Sequence, residues 1–152
     1  MITITAEDPS SLAASILLEE LSVILSKITG NSGKSSFDPD DVRTENARFV
    51  VARDLDGHAI GCGAFRPLKS DVAEVKRMYS RLNGSGVGTA ILAFLEVEAK
   101  NLGFTALRLE TRLVNEQAVR FYERRGYKRI ANFGKYVGNV KAVCFEKQLS
   151  GL

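Results

Sequence analysis

A chain of 152 residues, 45% hydrophobic and 26% charged, has the size and make-up of about one soluble globular domain, which excludes disordered, collagenous and disulfide-stapled classes. Its 21 Lys and Arg against 18 Asp and Glu leave a net charge of +3 with no basic block, so no nucleic-acid partner is indicated. Cys62 and Cys144 stand far apart in apolar settings and the single His58 lies in a turn, so no metal site is expected and two buried free thiols are.

Met1 to Thr5 alternate like a strand, and Asp8 with Pro9 then reads as a helix N-cap and first-turn proline. Leu17, Leu21, Ile24 and Ile28 recur at helical spacing, predicting one apolar stripe turned to a core, with Gly30 closing the helix. Residues 30–46 are polar and rich in Gly, Ser and Asp, the composition of a loop or a short, weakly determined helix. Two apolar runs flanking Leu55-Asp56-Gly57 read as an antiparallel hairpin. After Pro67 comes another strand, with Glu74, Lys76 and Met78 alternating against Val75, Arg77 and Tyr79.

A glycine-rich turn then opens a helix from about Val87 to Leu102, closed by Gly103, and the strand ALRLET comes next. Asn115 caps a helix that ends at Gly126 and carries Ala118, Val119 and Tyr122 on one face, and the strands YKRIA and AVCFEKQL complete the chain. Helices thus alternate with strands around one mixed sheet, in a single domain spanning 1–152. The start MITITAEDPSS lacks the basic and apolar regions of a leader, and no apolar run approaches the roughly 18 residues of a membrane span. The expected compartment is cytoplasmic, with no membrane partner.

Two segments carry glycine-rich phosphate-loop character. Gly30-Asn31-Ser32-Gly33-Lys34-Ser35 ends like a nucleotide-triphosphate loop, but Ile28 stands where the first glycine belongs and a helix precedes it instead of a strand, so a plain loop is expected. Asn83-Gly84-Ser85-Gly86-Val87-Gly88-Thr89 lies between a strand and a helix, where orphan first-turn N–H groups converge on an anion. A dinucleotide is the rival ligand, with Glu110 at the end of the next strand as the ribose acid. Thr89 in place of the third glycine, and charges in the preceding strand, weigh against it.

The segments AEVKRMYS, GSGVGTAILAFLEVEAKNLGF, LRLET and NEQAVRFYERRGYKRI resemble the GCN5-related N-acetyltransferase (GNAT) superfamily over about Ala47 to Leu149, and its small-molecule branch in KRMY and the terminal FEK. The resemblance implies an α/β fold with a mixed, largely antiparallel central sheet flanked by helices. It also implies acetyl-coenzyme A (acetyl-CoA) as cosubstrate, a small-molecule amine as acceptor, and a homodimer through the last strands. Gly86 and Gly88 match the glycines of the pyrophosphate loop, and Asn83, Gly84, Ser85, Val87 and Thr89 complete it. Asn83 replaces the usual Gln or Arg in a shortened connection, which throws pyrophosphate onto backbone N–H groups, with Arg81 as a substitute cation.

By the same resemblance Tyr122 matches the general acid that protonates the departing thiolate, and Asn115 the contact to the pantetheine arm or an ordered water. The strand Met78-Tyr79-Ser80 offers its backbone to pantetheine. A protonated amine needs a general base, for which Glu74 is the first candidate and Glu110 the second; either also reads as a strand-end carboxylate paired with Lys76, Arg77 or Arg112. Tyr122 equally reads as a core tyrosine. Acceptor binding is expected from segment 30–46 and from Phe133 to Val140, where Phe133 and Tyr136 either wall a pocket or cover the sheet edge. Neither cysteine adjoins a base, so direct attack in a ternary complex is expected. A non-catalytic coenzyme A-binding module and a dinucleotide-dependent oxidoreductase are the alternatives.

Overall fold

A computed structural model describes residues 1–151. Seven strands make one open sheet in the order β1-β2-β3-β4-β5-β7-β6. They are β1 (Thr3–Ala6), β2 (Arg48–Arg53), β3 (Ala59–Lys69), β4 (Val72–Ser80), β5 (Ala106–Arg112), β6 (Lys128–Ile130) and β7 (Ala142–Gln148). Every neighbouring pair is antiparallel except β4 with β5. Helix α1 (Leu12–Thr29) covers one face, where Leu17 packs with Phe49, Val51 and Cys62. Helices α2 (Val87–Asn101) and α3 (Glu116–Arg124) lie over the larger core on the other, built on Phe65, Ile91, Leu95, Leu107 and Phe145.

The expected order of elements is the observed one, with local corrections. The N-cap of α1 is Ser11, whose hydroxyl accepts from the Ala14 N–H at 3.1 Å. Asp8 instead accepts from the Ser10 N–H and pairs with Arg43, because Pro9 starts a separate turn before the helix. The apolar stripe of α1 is buried only in its first half: Leu17 and Leu21 are in the core, while Ile24 and Ile28 are 40% and 39% exposed. Strand β3 does not stop at Pro67 but continues to Lys69 through an irregular register.

Strand β4 departs from strict alternation at a β-bulge, where Arg77 and Met78 together oppose Gly63 between the pairs Ala64–Lys76 and Cys62–Tyr79. Arg77 takes a φ of 56°, the left-handed region that costs a non-glycine residue roughly 1–3 kcal/mol. The extra residue reverses the facing of the rest of the strand. Met78 therefore joins Val75 against the α2 core, and Tyr79 packs with the α1 cluster.

Two glycines of β3 admit α2 to close range. A Cβ at Gly61 would lie 2.7 Å from the Tyr79 carbonyl oxygen and 2.9 Å from Ile91 Cδ1, and one at Gly63 2.6 Å from Met78 Sδ. Strands β4 and β5 share a ladder only from Val72–Ala106 to Glu74–Arg108, and beyond Glu74 they part. Bulges bend and twist the strand that carries them. The parted strands leave a gap into which the amino end of α3 and the start of α2 project.

Candidate active site

Two adjoining chambers occupy that gap, one of about 620 Å³ and one of about 150 Å³. Leu21, Leu25, Met78, Asn115, Ala118 and Tyr122 line both, so they form the common wall. The larger chamber runs from β4 past the glycine loop to the end of α3, and the exposed Ile24 and Ile28 of α1 are part of its apolar side.

The glycine loop ends at Gly86, the N-cap of α2, with no side chain capping the first turn. Gly84 and Gly86 have φ of 76° and 85°, and nothing lies within 4 Å of a Cβ built on either. The N–H groups of Val87, Gly88 and Thr89 have no carbonyl available within the helix, which leaves them and the positive helix end for an anion. Met78, Tyr79, Ser80, Asn83, Gly84, Gly86, Gly88, Thr89, Asn115 and Tyr122 all border this chamber. Ser85 and Val87 do not contribute side chains: the Ser85 hydroxyl turns back to the Leu82 carbonyl, and Val87 is buried in the core.

Arg81 lines the chamber but is already committed. Its guanidinium donates to both oxygens of Glu20 at 2.8 and 2.7 Å and to the Ala59 carbonyl at 3.0 Å. That contact holds the Glu20 carboxyl below its ordinary range. Glu20 also accepts from the Tyr79 hydroxyl at 2.8 Å, which commits that phenol to α1. Arg124 and Arg125 also border this chamber, and the sequence had not singled out either. Arg125 is the one held against the glycine loop. It lies over the Phe121 ring at 4.8 Å, donates to the Thr89 hydroxyl in the first turn of α2, and pairs with no carboxylate among the described residues. The doubled arginine of YERRGY was its only trace in the sequence.

Tyr122 is locked edge-on by Phe121 and Tyr127, with ring centroids at 5.1 and 5.7 Å, and rests on Phe145. Burial pushes its phenol well above the ordinary value. Its hydroxyl bonds to no protein group among the described residues, although the ring borders both chambers. Asn115 caps α3 by accepting from the Ala118 N–H at 3.4 Å and lies on the same wall.

The smaller chamber holds the two candidate bases. Glu74 is 1% exposed; it accepts from Arg66 at 3.0 Å and from the Tyr136 hydroxyl at 2.8 Å, and Lys76 Nζ lies 3.7 Å away. Glu110 is bonded to Arg112 alone, its side chain keeps 13% exposure, and burial raises its carboxyl above the usual range against the pull of Arg112 and Lys76. Burial likewise lowers Lys76. Tyr136 lines this chamber, whereas Phe133 packs behind it at 5.4 Å under the Arg108 guanidinium. The two aromatics thus divide between wall and cover. Gly33, Ser36 and Phe37 bring segment 30–46, folded as two short 3-10 turns, to the same chamber.

Both cysteines are buried and free, and burial pushes the Cys62 thiol up to about 12. The nucleotide-like segment 30–35 is loop and 3-10 turn after a helix, with Lys34 paired to Glu19 on the surface. Among the described residues no helix is long and apolar enough to cross a membrane.

The splayed mixed sheet thus sets a phosphate-ready helix start on one side of the gap and buried carboxylates on the other. The family model described as "Acetyltransferase (GNAT) family" matches residues 17–127, and the chain belongs to that family. It is 30% identical over 151 residues to a protein of Azospirillum brasilense described as "IAA acetyltransferase", covering 97% of this chain and 98% of the relative. A protein of Klebsiella pneumoniae described as an acyl-CoA N-acyltransferase superposes with a TM-score of 0.83 at 28% identity, 98% of each chain being covered. A GNAT acetyltransferase of Staphylococcus aureus shares the fold at a TM-score of 0.77 and 16% identity, over 98% of this chain and 99% of that one.

Proposed function

We propose that the protein transfers an acetyl group from acetyl-CoA to a primary amine by direct attack in a ternary complex. The observation that carries this reading is the Tyr122 hydroxyl, unpaired on the wall common to the two chambers. It lies where a thioester entering from the larger chamber would meet an amine held in the smaller. Acetyl-CoA supplies the activated acyl group and the leaving thiolate.

The residues present fit that cosubstrate. The orphan N–H groups of the α2 start and the Arg125 guanidinium offer donors and positive charge to its pyrophosphate. The bulged backbone of Met78 to Ser80, unpaired on its β5 side, offers a strand edge to the pantetheine arm. Arg125 takes the part that the sequence suggested for Arg81, and supplies the cation that Asn83 does not.

Glu110 is the stronger candidate base. A base needs a free lone pair and a pKa near the working pH; burial raises the Glu110 carboxyl above the usual range, and its oxygens are bonded to Arg112 alone, whereas those of Glu74 are taken by Arg66 and Tyr136. Glu110 first takes a proton from the ammonium, directly or through a water, and releases it to solvent, which frees the nitrogen lone pair to bond to the acyl carbon. The carbon–sulfur bond breaks, Tyr122 gives its hydroxyl proton to the sulfur, and the second nitrogen proton returns to the phenolate through Glu110 and water. Glu74 holds Tyr136 and Lys76 in place behind it. The high pKa of Cys62 disfavours an acyl-cysteine route at neutral pH.

The test is calorimetric titration with acetyl-CoA, with nicotinamide dinucleotide and ATP as controls, followed by a screen of amines for thiol release. Selective acetyl-CoA binding and amine-dependent release are expected. Absence of acetyl-CoA binding overturns the reading, and binding without release for any amine leaves a coenzyme A-binding module instead.

A further inference from the structure

The smaller chamber is lined by two carboxylates, Glu74 and Glu110, and two cations, Lys76 and Arg77. Glu74 pairs with Lys76 and with Arg66, which Asp41 shares, and Glu110 pairs with Arg112. Arg77 takes no part in these pairs. Arg43, Arg48, Arg53 and Arg108, elsewhere in the fold, each have a carboxylate partner. Arg77 is partly buried, lines the chamber, and pairs with no carboxylate among the described residues.

The groups that hold Arg77 are neutral. It donates to the Ser32 carbonyl at 3.2 Å, and its guanidinium lies 5.7 Å from the Phe37 ring centroid. Both contacts come from segment 30–46. Arg77 also occupies the bulge with φ of 56°, where a glycine or asparagine would be at less strain. A partly desolvated guanidinium in a strained backbone position, stacked and oriented but unpaired, has the form of an anion anchor. Glu74 and Glu110 line the same chamber and make a doubly charged phosphate a poor guest, whereas a carboxylate presents a single charge and two oxygens that match a guanidinium edge.

We propose that Arg77 binds a carboxylate of the acceptor, so that the acceptor class is an amine that also carries a carboxylate, an amino acid in the broad sense. The proposal rests on the reading of the protein as an amine acetyltransferase. In this arrangement the ammonium faces Glu110 and the carboxylate faces Arg77, across one small chamber closed by Tyr136 and Phe37.

The experiment compares matched pairs of amino acid and decarboxylated amine: glycine and methylamine, leucine and isoamylamine, phenylalanine and phenethylamine, tryptophan and tryptamine, lysine and cadaverine. Binding to the protein saturated with coenzyme A is measured by calorimetry, and thiol release with acetyl-CoA gives kcat/KM. The wild-type protein is expected to favour the carboxylate member of at least one pair by about 10- to 100-fold, the range of a charge-assisted pair. Arg77→Gln is expected to collapse that ratio through KM, with kcat moving little and Arg77→Lys recovering part of it.

A wild-type preference for the decarboxylated members, or no difference in any pair, overturns the proposal. So does an equal loss on both members in Arg77→Gln, which would make Arg77 a brace for segment 30–46 only. Carboxylate-selective binding that depends on Arg77, with no acetyl transfer to any amine, would sink the proposed activity and leave the anchor standing.

Discussion

Replacing Tyr122 by phenylalanine separates chemistry from packing. The ring is held by Phe121, Tyr127 and Phe145, contacts that phenylalanine keeps. The deleted oxygen bonds to no described protein group, so no buried partner is orphaned, and stability should change by no more than about 1 kcal/mol. For a chain of this size that is a shift of about 2–4 °C in Tm. Loss of the proton given to the leaving sulfur should instead cost about 10²- to 10⁴-fold in kcat, a typical general-acid contribution. Stopped or coupled thiol-release assays, calorimetry with acetyl-CoA and a thermal melt together read the three quantities. Because burial holds the phenol well above its ordinary pKa, it stays protonated through the working range. The wild-type kcat should therefore show no alkaline fall due to Tyr122 below about pH 10. Undiminished kcat in Tyr122→Phe would refute the assignment and return the residue to the core.

Glu110 must be ionised to act as base, and burial raises its carboxyl, so kcat should climb with pH through a value above the usual carboxylate range. Glu110→Gln should abolish that limb and lower kcat by about 10²-fold or more; an unchanged pH profile would exclude Glu110. Arg125→Gln should weaken acetyl-CoA binding by about 10- to 100-fold, more at low salt than high, and an unaltered Kd would remove Arg125 from the phosphate site. Gly61→Ala forces a Cβ to 2.7 Å from the Tyr79 carbonyl oxygen, a backbone atom that cannot move aside cheaply. It should cost about 1–3 kcal/mol, read as a lowered Tm, and a melt equal to wild type would show that β3 and α2 separate freely.

The sequence by itself determined the order of elements, the glycine-opened α2, the Asn115 cap and the face that brings Tyr122 beside it. Those features depend on residues a few positions apart, where period, capping and turn chemistry act within one element. It also carried the family motifs from Ala47 onward.

Only the tertiary structure decided the rest, because each remaining feature is a relation between distant segments. The bulge at Arg77 reverses the facing of Met78 and Tyr79, and a strict two-residue alternation cannot foresee an inserted residue. The outer half of the α1 stripe borders a cleft because the sheet it would have covered splays apart there. Arg81 and Arg125 look alike in the sequence, yet Glu20 neutralises one and Thr89 with Phe121 merely orients the other. Glu74 and Glu110 likewise differ only in the company folding gives them. Charge compensation is a property of three-dimensional neighbours, so which ionisable groups stay available for chemistry is settled when the chain packs.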